Sequence, residues 1–558
     1  MTTRSTPVRS EIPTDVHAVF NQSPPYQDID LFGTDRALRE AVAANGAGGE
    51  AADLWAFGRR WGTAAMFERA RQANAFLPCL SAFDAQGRRL DTVEFHPAYH
   101  AFMAESIGAG LHASTWRADG RRAAAPAEVA RAARFYMVAQ VENGHMCPVT
   151  MTRAAVAALA AAPSLRAELM AKIASRDYDP RFRPWPEKSG MTLGMGMTEK
   201  QGGTDVRANT TRADRDGESY RITGHKWFMS APMSDAFLVL AQAPDGLTCF
   251  FMPRFRPDGS ANGLHFQRLK DKLGNRSNAS SEVEFDGAYA QRIGEEGEGI
   301  RAILAMVQLT RLDCAIASAG MMRAAVARAL HHTRHRAVFG KPLAAQPMMR
   351  AVLADMALET EGAVALAMRL CRSFDLAESS PSEAARARLL TPAVKYLICK
   401  AAPALTYEAM ECLGGNGYVE EDVLARLYRE APVNAIWEGS GNVMCLDVLR
   451  AFSRDTDAAR ATLEDLARET KTLPGAADAL DVVARVFGGN AAEAHARMAV
   501  EQLARLEAAA ALNAGAQGDI AELFARTRLA RPHGATYGAT ALNENETTAL
   551  LERALPAM

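Results

Sequence analysis

The 558-residue sequence contains no CxxC pair: its eight cysteines stand singly between Cys79 and Cys445. That pattern provides neither a disulfide framework nor a zinc site and fits a reducing cytoplasm. A strand–GxGxxG–helix unit is missing too. Gly194 with Gly196, Gly297 with Gly299 and Gly415 with Gly417 each lack the third glycine and the βαβ context, so a Rossmann dinucleotide fold is not expected. The opening MTTRSTPVRSEIPTDVHAVFNQ has no apolar core, which argues against a secretory signal. Arg, Asp, His or Lys interrupts the apolar runs, so no membrane span is expected. A net charge of −2 gives no basic surplus, and nucleic-acid binding would need a local patch or an assembled surface. A soluble cytoplasmic protein is expected.

What is present is the composition of a globular protein, 48% hydrophobic and 23% charged. The chain is too long for one core, so several domains are expected. Residues 1–186 are rich in Ala and Arg, with apolar residues at helical spacing, and Pro180, Pro184 and Pro186 end the run. Residues 187–292 hold short β-rich runs such as YRITGHKWFMS and LTCFFMP between Gly, Pro, Asp and Asn turns, which predicts a sandwich or barrel. Residues 293–455 return to long helical patterns, broken at Phe339-Gly340-Lys341-Pro342 and again at Gly414-Gly415, as in a four-helix bundle. Residues 456–558 read as a further helical domain.

Six segments carry candidate chemistry. They are Met195-Gly196-Met197-Thr198-Glu199-Lys200-Gln201-Gly202-Gly203-Thr204, Gly224-His225-Lys226-Trp227-Phe228-Met229-Ser230, Leu273-Gly274-Asn275-Arg276-Ser277, Arg336 to Gln346, Glu411 to Tyr418, and Ile436-Trp437-Glu438-Gly439-Ser440-Gly441-Asn442. Clustered Gly, hydroxyl and amide groups let backbone N–H groups approach a polar ring edge or a phosphate, although the first segment taken alone reads better as a Gly-rich turn between two elements.

In this order and spacing the six segments resemble the acyl-CoA dehydrogenase family. Segments such as GMGMTEKQGG and IWEGSGN, with the HAVFNQ opening, are similar to its AidB-type alkylation-response branch. The resemblance implies a mainly α fold with a central β domain: an N-terminal helical domain, a middle β-barrel or sandwich, a four-helix bundle and an extra C-terminal helical domain. It implies FAD, a homotetramer, weak α,β-dehydrogenation of short branched acyl-CoA of the isovaleryl-CoA kind, and double-stranded DNA binding in the response to alkylation damage.

Carried over residue by residue, Met195, Gly196, Met197, Thr198, Gly203, Phe228, Met229 and Ser230 would hold the flavin. Thr204 would lie near its diphosphate, and Thr198, Thr204 and Ser230 would also face the substrate. Arg336, Phe339, Gln346, Glu411, Gly414 and Gly415 would reach the FAD of a neighbouring subunit. Ile436, Trp437, Gly439, Ser440 and Asn442 would surround the catalytic Glu438 and the ADP portion.

Removing a proton from Cα while a hydride leaves Cβ requires a carboxylate in a dry pocket, where its pKa can rise. Glu438 is the expected base; a helix cap or surface carboxylate is the bland alternative. Trp437 either narrows the acyl pocket or packs in the core. His331 and His335 are helical neighbours without a third metal ligand, so no metal is expected. The methionine-rich helices read as core filler.

Two functions compete: a DNA-binding flavoprotein of the alkylation response, and an ordinary metabolic acyl-CoA dehydrogenase that passes electrons to an electron-transfer flavoprotein. Residues 451–558 carry 11 Lys and Arg against 15 Asp and Glu, a poor start for neutralising phosphates. The candidate DNA contacts there are Arg526, Arg528 and Arg531.

Overall fold

The structure, a computed structural model, describes residues 16–489, 492–515, 518–530, 536–537 and 542–555. Seven helices open the chain: α1 (Arg36–Ala44), α2 (Ala51–Trp61), α3 (Ala64–Ala75), α4 (Pro97–Gly108), α5 (Ala127–Ala139), α6 (Met146–Leu159) and α7 (Pro163–Ile173). A hairpin of β1 (Cys79–Phe83) and β2 (Arg89–Glu94) interrupts them, which the helical reading of this region did not include. Its turn is local chemistry. Asp84 Oδ1 accepts from the amides of Gln86 and Arg88, while Gly87 supplies a φ of +81°.

Seven strands follow: β3 (Leu193–Gly196), β4 (Arg212–Asp216), β5 (Ser219–Ser230), β6 (Ala236–Ala243), β7 (Gly246–Pro253), β8 (Leu264–Leu269) and β9 (Ser280–Ile293). Six of them run in the order β3-β6-β4-β5-β9-β7 with β8 paired to β9, and β7 returns to pair with β6, so the sheet closes into a barrel. Ile222, Phe237, Phe250, Phe266 and Val283 fill its interior.

The bundle is built from α8 (Gly299–His335), α9 (Pro347–Leu376), α10 (Pro381–Leu413), α12 (Val423–Asn434) and α13 (Gly441–Arg454), with α11 (Gly415–Tyr418) as a single turn between the last three. The break after α8 is a two-residue-per-strand hairpin, β10 (Ala337–Val338) against β11 (Lys341–Pro342), and Gly414 caps α10 at a φ of +61°. Helix α8 corrects the expectation of no spanning stretch. It is long and apolar enough to cross a membrane, but 72% of its most apolar window is buried inside the protein. Two of its charges are paired within the core: Asp313 takes two bonds of 2.7 Å from Arg131, and Arg323 meets Asp35 at 3.2 Å.

The C-terminal helices are α14 (Thr456–Glu469), α15 (Ala476–Phe487), α16 (Ala492–Ala514), α17 (Gly518–Arg528) and α18 (Glu544–Ala554). They share one hydrophobic core with the bundle and the first helices. Three arginines fasten them. Arg386 of α10 holds Glu469 and Glu507 (2.6 Å to each); Arg528 of α17 holds Asp355 (2.6 Å) and Glu359 (2.9 Å) on α9; Arg553 of α18 holds Glu361 (2.7 Å) and Glu40 (2.5 Å).

Candidate active site

Helix α12 ends in a turn whose shape is set by Glu438. Its φ of +59° lies in the left-handed region, and Gly439 follows at +106°. A non-glycine residue there costs about 1–3 kcal/mol and persists only when its surroundings impose it. Three side chains do so. Arg311 Nε donates to the Glu438 carbonyl (3.0 Å), Lys395 Nζ to the Gly439 carbonyl (2.8 Å), and Thr310 Oγ1 to Glu438 Oε2 (2.7 Å). Arg311 is itself fixed by Asp447 of α13 at 2.6 Å. Helices α8, α10 and α13 therefore all grip one turn. Burial pushes the Glu438 carboxyl above its usual range, and Thr310, Arg311 and Lys395 offset part of that rise.

Across from the turn stands Cys147, in the first turn of α6. Its thiol borders Ser230 and Asn278 and lies within the fields of Lys272 and Glu438. Burial pushes it up to about 12, so it stays protonated. Ser230, the last residue of β5, pairs in register with Ser280, the first of β9, and their hydroxyls are 2.9 Å apart. Cys147 thus lies between the Glu438 turn and the hydroxyl end of β5, under the influence of both. Trp437 is partly buried, with its indole N–H donated to Asn434 Oδ1 at 2.9 Å.

On the barrel side Met195, Met197, Thr198 and Gly203 are partly exposed, and Phe228 is 49% exposed. Gly203 packs against the Thr198 hydroxyl so closely that a Cβ there would come within 2.3 Å of it. Behind them Lys226 is buried against Glu199 (2.8 Å) and the Leu240 carbonyl (2.7 Å), and Glu199 also accepts from the amides of Thr210 and Thr211. That ion pair fixes the loop after β3. The Met229 side chain is fully buried in the barrel core, because alternate residues of a strand face opposite ways, which leaves its backbone as the part available to a cofactor. Gly196 is buried, while Thr204, Ser440 and Asn442 are exposed.

The remaining motif residues gather elsewhere. Glu411 is sixteen residues beyond Lys395 on α10, about 24 Å along the helix. The N-terminal segment joins this end of the bundle to the hairpin. Asn21 exchanges two hydrogen bonds with Ala337 (2.8 and 2.7 Å), Arg336 donates to the Asn21 carbonyl, and Asn416 donates to Gln22. Here Phe339 is 95% exposed, and a Cβ at Gly414 or Gly415 would meet nothing within 4 Å. Gln346 donates to the Val338 carbonyl at 3.0 Å.

Sequence reasoning missed Cys147, Lys272, Ser280, Thr310, Arg311 and Lys395. Thr310, Arg311 and Lys395 lie mid-helix with no local signal, and Cys147 is a lone cysteine. Lys272 and Ser280 sit in or beside a segment already singled out, which was the one available clue.

The proposed DNA cluster is corrected. Arg528 is only 1% exposed and committed to Asp355 and Glu359, so it cannot face a phosphate. Arg526 is paired with Glu546 at 2.7 Å, and Arg531 lies outside the described residues. His331 donates to the Pro24 carbonyl (2.8 Å) and His335 to the His331 carbonyl (2.8 Å), so both rings serve local structure.

Comparison with known proteins adds the following. Residues 21–180 match the adaptive response protein AidB N-terminal domain, residues 194–288 the acyl-CoA dehydrogenase middle domain, and residues 297–453 the acyl-CoA dehydrogenase C-terminal domain. The chain is 53% identical over 441 residues to the putative acyl-CoA dehydrogenase AidB of Escherichia coli, covering 78% of this chain and 81% of that one. It is 34% identical over 470 residues to acyl-CoA dehydrogenase family member 11 of Caenorhabditis elegans, covering 80% and 74%. The crystal structure of C. elegans ACDH-11 in complex with C11-CoA superposes with a TM-score of 0.82 at 29% identity, over 96% of both chains.

Proposed function

The chain belongs to the acyl-CoA dehydrogenase family, in its AidB-like branch, and from that premise we propose that it is an FAD-dependent oxidoreductase that desaturates an acyl-CoA at Cα–Cβ, with Glu438 as the base. The observation that carries this reading is Glu438 itself. It is held in a strained turn, has one carboxylate oxygen occupied by Thr310, and shares a cleft with Ser230 through Cys147.

The residues present fit the cofactor. Phe228, Met197 and Thr198 offer an apolar face next to hydroxyl donors, the complement of a flat aromatic ring with a polar edge, and Gly203 lets backbone approach it. Bound FAD supplies the two-electron acceptor for the hydride leaving Cβ. Thr310 leaves Oε1 of Glu438 free to take the Cα proton, and burial raises the carboxyl towards the acidity of the activated substrate. The Cys147 thiol, under the influence of both Glu438 and Ser230, stays neutral.

The substrate class rests on the relatives: that of E. coli is named as a putative acyl-CoA dehydrogenase, and that of C. elegans crystallised with C11-CoA. We place the preferred substrate among short branched acyl-CoAs such as isovaleryl-CoA. Electrons then leave for an electron-transfer flavoprotein. The exposed Phe339 and the bare Gly414 and Gly415 support a homotetramer in which this face meets the cofactor of a second copy. Anaerobic isovaleryl-CoA is the test: it bleaches the flavin of the wild type and leaves the flavin of Glu438→Gln oxidised. A wild-type flavin that stays oxidised across a panel of acyl-CoAs overturns the reading.

A second task, duplex DNA binding in the alkylation response, is favoured by the match of residues 21–180 to an adaptive-response domain. With Arg528 committed inside the fold, the phosphates would be met by other surface cations of the assembly. A duplex titration at low salt decides it, since phosphate contacts give binding that weakens steeply as salt rises.

A further inference from the structure

Lys272 precedes β9 in the segment Lys272-Leu273-Gly274-Asn275, and the sequence reading gave it no role. Its Nζ donates to the Asn278 carbonyl (2.5 Å) and to Ser280 Oγ (3.1 Å). Ser280 Oγ is 2.9 Å from Ser230 Oγ, and Ser230 borders Cys147 in the cleft. An ammonium has donors only, so Ser280 is the acceptor in its bond with Lys272. The proton order that then satisfies the chain has Ser280 donating to Ser230, which leaves the Ser230 hydrogen for the cleft. The neighbouring thiol is protonated and competes only as a weak acceptor.

We propose that Lys272 is a positioning residue: acting through Ser280, it fixes Ser230 as a hydrogen-bond donor towards the cofactor and places a positive charge behind it. This rests on the reading of the cleft as a flavin site. Nothing in the assigned base chemistry uses Lys272, and no other cation reaches the Ser230–Ser280 pair by a hydrogen bond among the described residues.

The titratable groups facing Lys272 are Cys147 from α6, whose thiol is neutral in this range, and Glu430 from α12, whose carboxylate favours the charged form. Burial outweighs Glu430 and lowers Lys272 to about 8. Below that pH the ammonium is present behind the Ser280–Ser230 pair; above it the neutral amine keeps two N–H groups for Asn278 and Ser280, and what is lost is the positive charge. A cation near the ring raises a flavin's reduction potential, because it stabilises the added negative charge. The potential of the bound flavin therefore falls more steeply than in a lysine-free site as pH rises through about 8.

The experiment measures the visible spectrum and midpoint potential of the holoprotein against pH, together with the rate of flavin reduction by isovaleryl-CoA. Wild type is compared with Lys272→Met, Ser280→Ala and Ser280→Thr. Lys272→Met and Ser280→Ala are expected to lower the potential, to remove the extra inflection near pH 8, and to slow reduction about tenfold at saturating substrate with little change in KM. Ser280→Thr keeps the hydroxyl and is expected to restore the wild-type spectrum and potential. Equal potentials and pH profiles in wild type and Lys272→Met overturn the proposal, as does a failure of Ser280→Thr to differ from Ser280→Ala. If the wild type holds no flavin, the flavin reading falls first; if it holds flavin and only the variants fail to shift, the positioning role falls alone.

Discussion

Thr310 and Glu438, 128 residues apart in sequence, are joined by a hydrogen bond of 2.7 Å from the threonine hydroxyl to Oε2 of the carboxylate. The bond orients the proposed base and sets its acidity. Burial raises the carboxyl and Thr310 lowers it, so Thr310→Val raises it further. Proton abstraction needs the carboxylate, and the rate therefore climbs with pH through this group's pKa. The acid limb of the flavin-reduction profile is expected to move to higher pH in Thr310→Val, by about half to one unit for a hydrogen bond worth about 1 kcal/mol. Stopped-flow reduction measured over a pH series checks both the direction and the size.

Glu438→Gln keeps the shape of the side chain and removes its basicity. Reduction of the flavin by acyl-CoA is expected to slow by about 10²–10⁴-fold. Flavin binding and thermal stability should stay near wild type, because Arg311 and Lys395 grip the turn through backbone carbonyls that the substitution leaves intact. Flavin content, a melting curve and single-turnover kinetics on the same preparation separate loss of chemistry from loss of fold.

Arg386 anchors the C-terminal helices by satisfying Glu469 on α14 and Glu507 on α16, the latter 1% exposed. Arg386→Ala leaves the buried Glu507 carboxylate without its cation, a change expected to cost about 3–5 kcal/mol. Calorimetry should show an earlier melting transition, and limited proteolysis should open the junction at Asp455 before the bundle is cut.

Arg528 and Arg526 are expected to separate fold from surface. Arg528→Ala removes the partner of buried Asp355 and destabilises the protein, whereas Arg526→Ala breaks a half-exposed pair with Glu546 worth about 0–1 kcal/mol. Any loss of duplex binding in Arg528→Ala should track its loss of folded protein. A variant that melts like wild type yet no longer shifts DNA would contradict the buried placement.

Much of the fold could be read locally. Helical spacing, the proline cluster before residue 187, the Phe339-Gly340 break and the Gly414 cap mark where elements start and stop, because capping and turn geometry are short-range. The β1–β2 hairpin escaped notice since five- and six-residue strands in an Ala- and Arg-rich stretch carry little periodicity. The residues around the base were less legible still. Lys395 and Arg311 look like ordinary helical cations, and only the crossing of α8 and α10 aims them at one turn.

The sequence by itself determined the order of helical, β and helical segments and the family, and it singled out Glu438 as the carboxylate to propose, since these depend on residue type and spacing alone. Tertiary structure decided which charges are free. Arg528 reads as a surface cation in a basic cluster, and it becomes an internal fastener because α17 packs against α9 and brings it to Asp355. Lys272 reads as a loop lysine, and it comes to stand behind Ser230 because β5 and β9 pair in a register that sets Ser230 opposite Ser280. Burial and hydrogen bonding are properties of what surrounds a side chain, and for both residues most of those surroundings come from distant parts of the chain.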